Sequence, residues 1–245
     1  MKSVLSIVLA VTLFLSSCTT TQIQDTLGVL SGTSGGVTNA EAASGLKEAL
    51  SKGFVTAVGL LSQQDGFYGN SLVKIPWPEE AQFVMNAMEK IGMGAQVEKV
   101  TLSLNRAAEK ASGEALDVFV QAVKQMTFQD AMGILLGGNG AATEYLKRTT
   151  TVILADKFRP IVESSLGSVN ATKYWTDAIT VYNKIPLANK KVETDLTTFV
   201  TGKALEGVFK RVEEQENNIR NNLSFRNTAL LQKVFGFADS KKSTN

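Results

Sequence analysis

The sequence predicts an all-α fold: a single multi-helix domain behind a signal peptide and a flexible tether. Apolar residues recur at three- and four-residue steps through most of the chain after residue 40, which indicates roughly eight to ten amphipathic helices. No stretch of useful length alternates as a β-strand does, and no internal repeat is present. A hydrophobic content of 44% with only 4 Pro is typical of a globular chain. We expect the domain to cover residues 40–236 and a polar tail to cover residues 237–245.

The first 17 residues have the pattern of a secretory signal peptide. Lys2 precedes an apolar run from Val4 to Leu15, which is shorter than the roughly 20 residues that a membrane span needs. The string Leu15-Ser16-Ser17-Cys18 resembles the bacterial lipobox, whose Cys becomes the lipidated first residue of the mature protein. We therefore expect lipidation at Cys18, the only thiol of the chain. An ordinary secretory signal with a nearby Cys is the alternative.

The resemblance to a lipoprotein leader also predicts where the protein resides. Thr19 follows the Cys in place of the Asp that resembles an inner-membrane retention signal. This favours an outer membrane lipoprotein that faces the periplasm of the cell envelope. Residues 18–39 would then be the lipidated Cys and a flexible tether, because Ser, Thr, Gly and Gln dominate this segment. Such a tether has a root-mean-square span of about 25 Å.

The first predicted helix begins near Glu41, and its inner face is Leu46, Leu50, Phe54, Ala57, Val58 and Leu61. Residues 63–78 contain Gly, Asn and Pro in turn-forming pairs, so this segment is predicted to be a loop over the surface. Pro78 fits the first turn of a second helix, which Gly92 to Gly94 ends. A third apolar stripe runs from Val97 to Ala111.

The middle of the chain contains three further helical patterns. A fourth stripe runs from Leu116 to Met126, and Thr127 with Asp130 has the spacing of an N-cap for a short fifth helix. The next helix begins near Ala141, and Pro160 is expected to stop or kink it after Phe158.

The last third of the chain contains the remaining helices. Asn170 is a candidate cap for a helix through Tyr182. The longest late helix starts near Thr194 and continues to Ile219, and a short final helix would close against Gly236.

Several short strings occur in the order seen in a bacterial family of exported proteins, the domain of unknown function 4197. The resemblance covers about residues 45–236, and Asn222-Leu223 departs from the Asn-Pro that we would expect there. It implies a predominantly helical exported domain, and it implies no activity, substrate or catalytic residue. The strings are Gly45-Leu-Lys-Glu-Ala-Leu50, Val73-Lys-Ile-Pro76, Asn105-Arg-Ala-Ala-Glu109, Met126-Thr127 with Asp130-Ala131, Ala141-Ala-Thr-Glu-Tyr145, Phe158-Arg-Pro160, Lys203-Ala-Leu-Glu-Gly207 and Lys233-Val-Phe-Gly236.

The composition excludes several classes of chemistry. The chain has no His, so a Ser/His/Asp or Cys/His relay and a His-ligated metal are excluded. A single Cys excludes intramolecular disulfides and thiolate clusters. The formal net charge of +2 indicates no nucleic-acid partner. We therefore expect no cofactor and no metal.

The remaining polar motifs each allow a structural and a functional interpretation. The turn Gly137-Gly-Asn-Gly140 is either a plain helix connection or an anion site at a helix start. Arg106, Arg148 and Arg159 on apolar faces indicate structural ion pairs or a polar pocket. The pairs Glu109 with Glu114 and Glu213 with Glu216 are ordinary helix charges or the two acids of a hydrolase.

The leading functional hypothesis is a non-catalytic, lipid-anchored binding or interaction module. It would contact the membrane through Cys18 and bind a protein partner or a small amphipathic ligand. The candidate binding residues are Lys74 and Trp77 of the long loop, for charge and apolar contact, and Arg106 and Arg159, for fixed charge. The alternatives are a carboxylate-dependent hydrolase of an envelope polymer and a purely structural lipoprotein, and we expect no catalytic residue under the leading hypothesis.

Overall fold

The computed structural model describes residues 36–168, 171–172, 175–176 and 195–242. The chain divides into two units, residues 1–38 and residues 39–245, and the helices given below belong to the second. The described residues form helices, turns and loops without a β-strand, which confirms the all-α prediction. The predicted signal peptide, Cys18 and most of the tether lie outside these residues. No helix within the described ranges has the length and apolar character of a membrane span.

Eight α-helices are described, in agreement with the predicted number. A 3-10 turn at Glu79–Ala81 follows Pro78 and leads into the second helix, and another at Leu223–Phe225 follows the seventh. The helices are α1 (Asn39–Ser62), α2 (Gln82–Lys90), α3 (Gly94–Ser112), α4 (Ala115–Gln125), α5 (Phe128–Leu136), α6 (Ala141–Gly167), α7 (Leu196–Asn221) and α8 (Ala229–Lys242).

Helix α7 lies at the centre of the domain and packs against α1, α3 and α6. An aromatic cluster links it to α1 and α4, because the Phe119 ring lies 5.0 Å from the Phe54 ring and 6.0 Å from the Phe209 ring, centroid to centroid. Tilted ring pairs at such distances stabilise a core beyond their area burial. The apolar side chains that α7 buries are Leu196, Val200, Ala204, Leu205, Val208, Phe209, Val212 and Ile219.

Two helices extend past the ends that the sequence predicts. Helix α6 continues through Pro160 to Gly167, because Pro160 is exposed while Val162 and Leu166 beyond it are fully buried. Burial of these two side chains offsets the backbone hydrogen bond that proline removes. Helix α8 likewise continues past Gly236 to Lys242, so most of the predicted polar tail at 237–245 is helical.

The continuation of α8 has a specific cause. Ala238 is buried against the domain, and the Asp239 carboxylate forms an ion pair of 2.7 Å with the buried Arg226. One packed methyl and one paired carboxylate therefore keep the last turns of α8 attached to the core.

Two of the described helices, α5 and α7, begin with a side-chain N-cap. Thr127 and Asp130 form a reciprocal capping box at the start of α5, which confirms the predicted N-cap. At the start of α7 the Asp195 carboxylate accepts the backbone N–H groups of Thr197 and Thr198. Hydrogen bonds from Thr198 are the main cause that lowers the pKa of Asp195. The predicted cap Asn170 and the predicted start at Thr194 lie outside the described residues.

A buried ion pair joins three helix ends around the Gly137–Gly140 turn. Glu216 of α7 accepts the backbone N–H groups of Ala142 and Thr143, each at 3.0 Å, and so caps the start of α6. Its carboxylate also lies 2.9 Å from the Arg220 guanidinium. Arg220 in turn donates to the last carbonyls of α5 and of the turn, those of Ile134, Leu135 and Gly137.

The buried pair of Glu216 and Arg220 decides between the two interpretations of the Gly137–Gly140 turn, a helix connection or an anion site. Gly140 has φ of 80°, a left-handed conformation that glycine adopts without strain. The N–H groups that follow it are bound by Glu216, so the anion at this helix start belongs to the chain itself. The turn is therefore a helix connection with an internal counter-charge, which is the structural interpretation.

The loop at residues 63–78 is confirmed as non-helical and lies along α3. The side-chain amide of Asn105 in α3 forms two hydrogen bonds with the backbone of Ile75. Its Oδ1 accepts the Ile75 N–H at 2.8 Å, and its Nδ2 donates to the Ile75 carbonyl at 2.9 Å. One turn earlier, the Thr101 hydroxyl accepts the indole N–H of Trp77 at 2.9 Å. These contacts fix the position of Trp77.

The other end of the loop is held by Glu109, one turn further along α3. Its Oε1 accepts the N–H groups of Phe67 and Tyr68, each at 3.1 Å. Phe67 is fully buried against Gly207 of α7, where a Cβ would lie 2.5 Å from the Phe67 ring. Glycine at 207 therefore permits the close approach of the loop to the central helix.

We expect Glu216→Ala to destabilise the domain by about 3–5 kcal/mol, because it leaves Arg220 buried without its counter-charge. Urea unfolding followed by circular dichroism measures the change. The matched control is Glu206→Ala on the same helix, whose exposed pair with Lys203 is worth about 0–1 kcal/mol. Equal effects of the two substitutions would show that the buried pair does not hold the helix ends.

We expect Asn105→Ala to destabilise the domain by about 2–3 kcal/mol, because the Ile75 N–H and C=O groups lose their buried partner. Limited proteolysis should then cut residues 63–78 faster than in the parent chain. Asn86→Ala, at an exposed position of α2, is the control and should change neither quantity. An unchanged cleavage rate in Asn105→Ala contradicts the assigned role of Asn105.

Candidate functional site

A cavity of about 850 Å³ lies between α2, α3 and the C-terminal part of α6. Trp77 and Trp175 form part of its wall, with ring centroids 6.0 Å apart and ring planes inclined by 56°. Both indoles are almost fully buried. The lining is mostly apolar, and its other apolar members are Val84, Met88, Met93, Val100, Leu102 and Ala171.

One side of α3 supplies the charged part of the lining. Lys99, Ser103, Arg106 and Lys110 follow the spacing i, i+4, i+7 and i+11, so they lie on one face of the helix. Three serines from the end of α6 add hydroxyl groups, and no carboxylate lines the cavity in the part of the chain that the structure describes. The cavity is therefore apolar with a basic border, and the three serines at the end of α6 are Ser164, Ser165 and the C-cap residue Ser168.

The three basic side chains differ in how their charge is balanced. Arg106 forms ion pairs with Glu109 at 2.5 Å and with Asp65 at 2.8 Å. The hydrogen bond to Glu109 is the main cause that raises the pKa of Arg106 further. Lys99 and Lys110 form no ion pair within the described ranges. The uncompensated charge at the cavity is therefore carried by the two lysines.

The structure brings two of the four predicted binding residues to this cavity, Trp77 and Arg106. Lys74 lies elsewhere on the loop, with its Nζ 3.9 Å from the centroid of the Tyr68 ring. Arg159 lies away from the cavity and donates to the Asp195 carboxylate and the Thr198 hydroxyl, so it contacts the capped start of α7.

Lys99, Lys110 and the serines at the end of α6 were not among the site residues predicted from the sequence. The spacing of residues 99, 103, 106 and 110 was visible as one helix face. The spacing alone did not indicate that this face borders a cavity. Helix α3 has two other faces, one apolar and one whose polar side chains bind the loop, and the sequence does not show which of the three faces a cavity. The serines lie beyond Pro160, where the sequence predicted that the helix stops or kinks.

The glutamates considered for hydrolysis have structural contacts instead. Glu109 binds the loop and Arg106, and Glu114 pairs with Lys157 at 3.3 Å. Glu216 is buried with its Arg partner and the start of α6. Among the described residues no group of three or more acidic or thiol side chains is placed to hold a metal ion.

A second cavity of about 410 Å³ lies between α4 and α6. It is less than half as large, and polar side chains such as Asp117, Gln121 and Lys157 make up much of its lining. The first cavity is the better candidate because ligand sites are concave, mostly apolar and bordered by a few polar groups.

Comparison with known proteins supports the resemblance seen over residues 45–236. The model of a family described as "Protein of unknown function (DUF4197)" matches residues 36–236. Neither a curated protein nor a solved structure matches the chain. Because the match covers most of the chain, the protein belongs to the DUF4197 family.

Proposed function

We propose that this protein is a lipid-anchored, non-catalytic binding protein of the bacterial cell envelope that takes up a small amphipathic ligand. The observation that carries the proposal is the cavity between α2, α3 and α6. Its volume of about 850 Å³ lies within the 300–1,000 Å³ that is usual for small-molecule sites. Its apolar walls and basic border match a molecule with one apolar and one polar part.

The lining combines rigid and adaptable surfaces. Trp77 is held by its hydrogen bond to Thr101 and by the anchored loop, so its ring is a fixed wall. Met88 and Met93 face the same space from the α2 side. Methionine side chains adapt to irregular partners, so this side of the cavity can follow the shape of an apolar chain.

The site supports binding better than the two alternatives. A hydrolase of this type needs two facing acids in a groove, whereas Glu109, Glu114 and Glu216 each bind cationic or backbone partners. A purely structural lipoprotein has no use for a large apolar cavity, whose lining lacks contacts that a filled core would provide.

The envelope location rests on the leader and on the lipobox-like string that ends in Cys18. Acyl chains on this residue would attach the protein stably, because each buried CH₂ contributes about 0.8 kcal/mol. In this proposal the protein is an outer membrane lipoprotein, and the domain reaches into the periplasm on its tether.

We expect Cys18→Ser to abolish incorporation of a labelled fatty acid into the protein in cells. The serine hydroxyl cannot form the thioether that carries the lipid. Thr19→Ser, which keeps the thiol, should be labelled as the parent is. Labelling of the Cys18→Ser chain would overturn the anchor.

We expect native mass spectrometry of the full-length protein, purified from its own envelope, to show a retained small molecule. Ser165→Trp should reduce its occupancy roughly tenfold by filling the cavity with an indole. The control is Thr151→Trp on the same helix, because both hydroxyls donate to the carbonyl four residues earlier and only Ser165 lines the cavity.

Thermal melting of both tryptophan variants shows whether they fold. Equal occupancy in the two folded variants would place the bound molecule elsewhere, and the absence of any bound molecule in the parent chain, even after addition of a single-chain lipid, would overturn the proposed function.

A further inference from the structure

We propose that the ligand is a single-chain lipid with a negatively charged headgroup, which lies beside Lys110 and Arg106 while its acyl chain extends toward Met88 and Met93. This inference rests on the proposed function and specifies its ligand. It follows from the charge of the cavity, from the position of that charge and from the shape of the lining.

The ionisable side chains that line the cavity in the described part of the chain are all basic: Lys99, Arg106 and Lys110. The two acids that pair with Arg106, Glu109 and Asp65, contact it from outside this lining. A cationic ligand would meet repulsion at this border, and a neutral headgroup would leave the attraction unused. A negative headgroup fits the site by charge complementarity.

The cations are distributed unevenly along the cavity: Arg106 and Lys110 lie together at one end, whereas Lys99, with Gln96, lies nearer the other end. Positions 93 and 110 lie about 25 Å apart along the axis of a continuous helix, at 1.5 Å per residue. Met88 and Met93 lie near the first end, where a short connection joins α2 to α3. Arg106 and Lys110 lie one turn apart near the second end. An extended, single-chain amphiphile matches this gradient.

The headgroup is assigned to the Lys110 end because the three basic side chains differ in whether an acid already pairs with them. The terminal nitrogens of Arg106 are bound by Glu109 and Asp65, so this residue is fixed and its charge is balanced. Lys110 has no ion pair within the described residues and can offer three N–H donors to one anion. Lys99 is also exposed and unpaired within the described residues, but it lies alone near the Met93 end, whereas Lys110 lies beside Arg106.

The experiment is a competition on the full-length protein observed by native mass spectrometry. Palmitoyl lysophosphatidylglycerol and palmitoyl lysophosphatidylcholine carry the same chain, and only the first has a net negative charge. We expect the anionic lipid to bind roughly tenfold more tightly, as one charge-assisted contact predicts. A parallel titration with palmitate, whose headgroup is a carboxylate, shows whether the site prefers a carboxylate or a phosphate. Tighter binding of either anionic lipid than of the choline lipid supports the inference.

Matched lysine variants test whether the headgroup lies at the Lys110 end of the cavity. Lys110→Gln should abolish the preference for the anionic lipid, while Lys124→Gln, an exposed lysine in the last turn of α4, should preserve it. Lys99→Gln should reduce the preference less than Lys110→Gln does. A larger reduction in Lys99→Gln, or an unchanged preference in Lys110→Gln, overturns the assigned headgroup end.

The outcomes separate this inference from the proposed function. Equal binding of the two lysolipids by the parent chain, with occupancy lost in Ser165→Trp, overturns only the anionic headgroup. If neither lysolipid nor palmitate binds but another molecule is retained in the cavity, the lipid inference alone fails; if the parent chain holds no molecule at all, the binding function itself fails. Thermal melting of each lysine variant shows that a changed preference is not a loss of fold.

Discussion

The buried pair of Glu216 and Arg220 is the interaction on which the arrangement of α5, α6 and α7 depends. Each partner is almost fully buried, and each has further hydrogen bonds: Glu216 to the first N–H groups of α6, and Arg220 to the last carbonyls of α5. A buried charge is tolerated only when it is paired and its other donors and acceptors are bound. Because the pair meets both conditions, it fixes the start of α6, the helix whose distal end forms one wall of the cavity.

Helix α3 connects this framework to the site by dividing its surface into three faces. Leu104, Ala107 and Ala108 face the core, where the small alanines permit close helix packing. Thr101, Asn105 and Glu109 bind the loop. The third face, with the basic residues, borders the cavity. The loop is held on the second face, where it places Trp77 in the wall of the cavity and leaves the third face to border that cavity.

The sequence predicted the fold class and the central helices, because apolar periodicity records which face of a helix is buried. Helix α6 does not stop at Pro160, and the last helix does not end at Gly236, because burial of Val162, Leu166 and Ala238 outweighs the local breaker. Two of the candidate binding residues, Trp77 and Arg106, line the cavity, and they were chosen because a long loop and an Arg on an apolar face are unusual. The pairing of Arg106 with Glu109, three residues later, is visible in the sequence, but its second counter-charge Asp65 is not, because Asp65 lies 41 positions away. In the sequence, Lys99 and Lys110 have the pattern of exposed helix lysines, because only the position of α2 shows that their face of α3 borders a cavity.

The polar row on α3 also explains how an apolar cavity persists without collapse. Atoms that line a void lose dispersion contacts, so a core normally relaxes to close it. Here Trp77 cannot move inward without breaking the contacts of Thr101 and Asn105, which hold the loop at successive turns of α3. A ligand that fills the space would restore the missing contacts and bind the folded state only. At a hundredfold excess over its dissociation constant, such a ligand adds about 2.7 kcal/mol to stability. The same anchoring that keeps the cavity open therefore couples its occupancy to the stability of the domain.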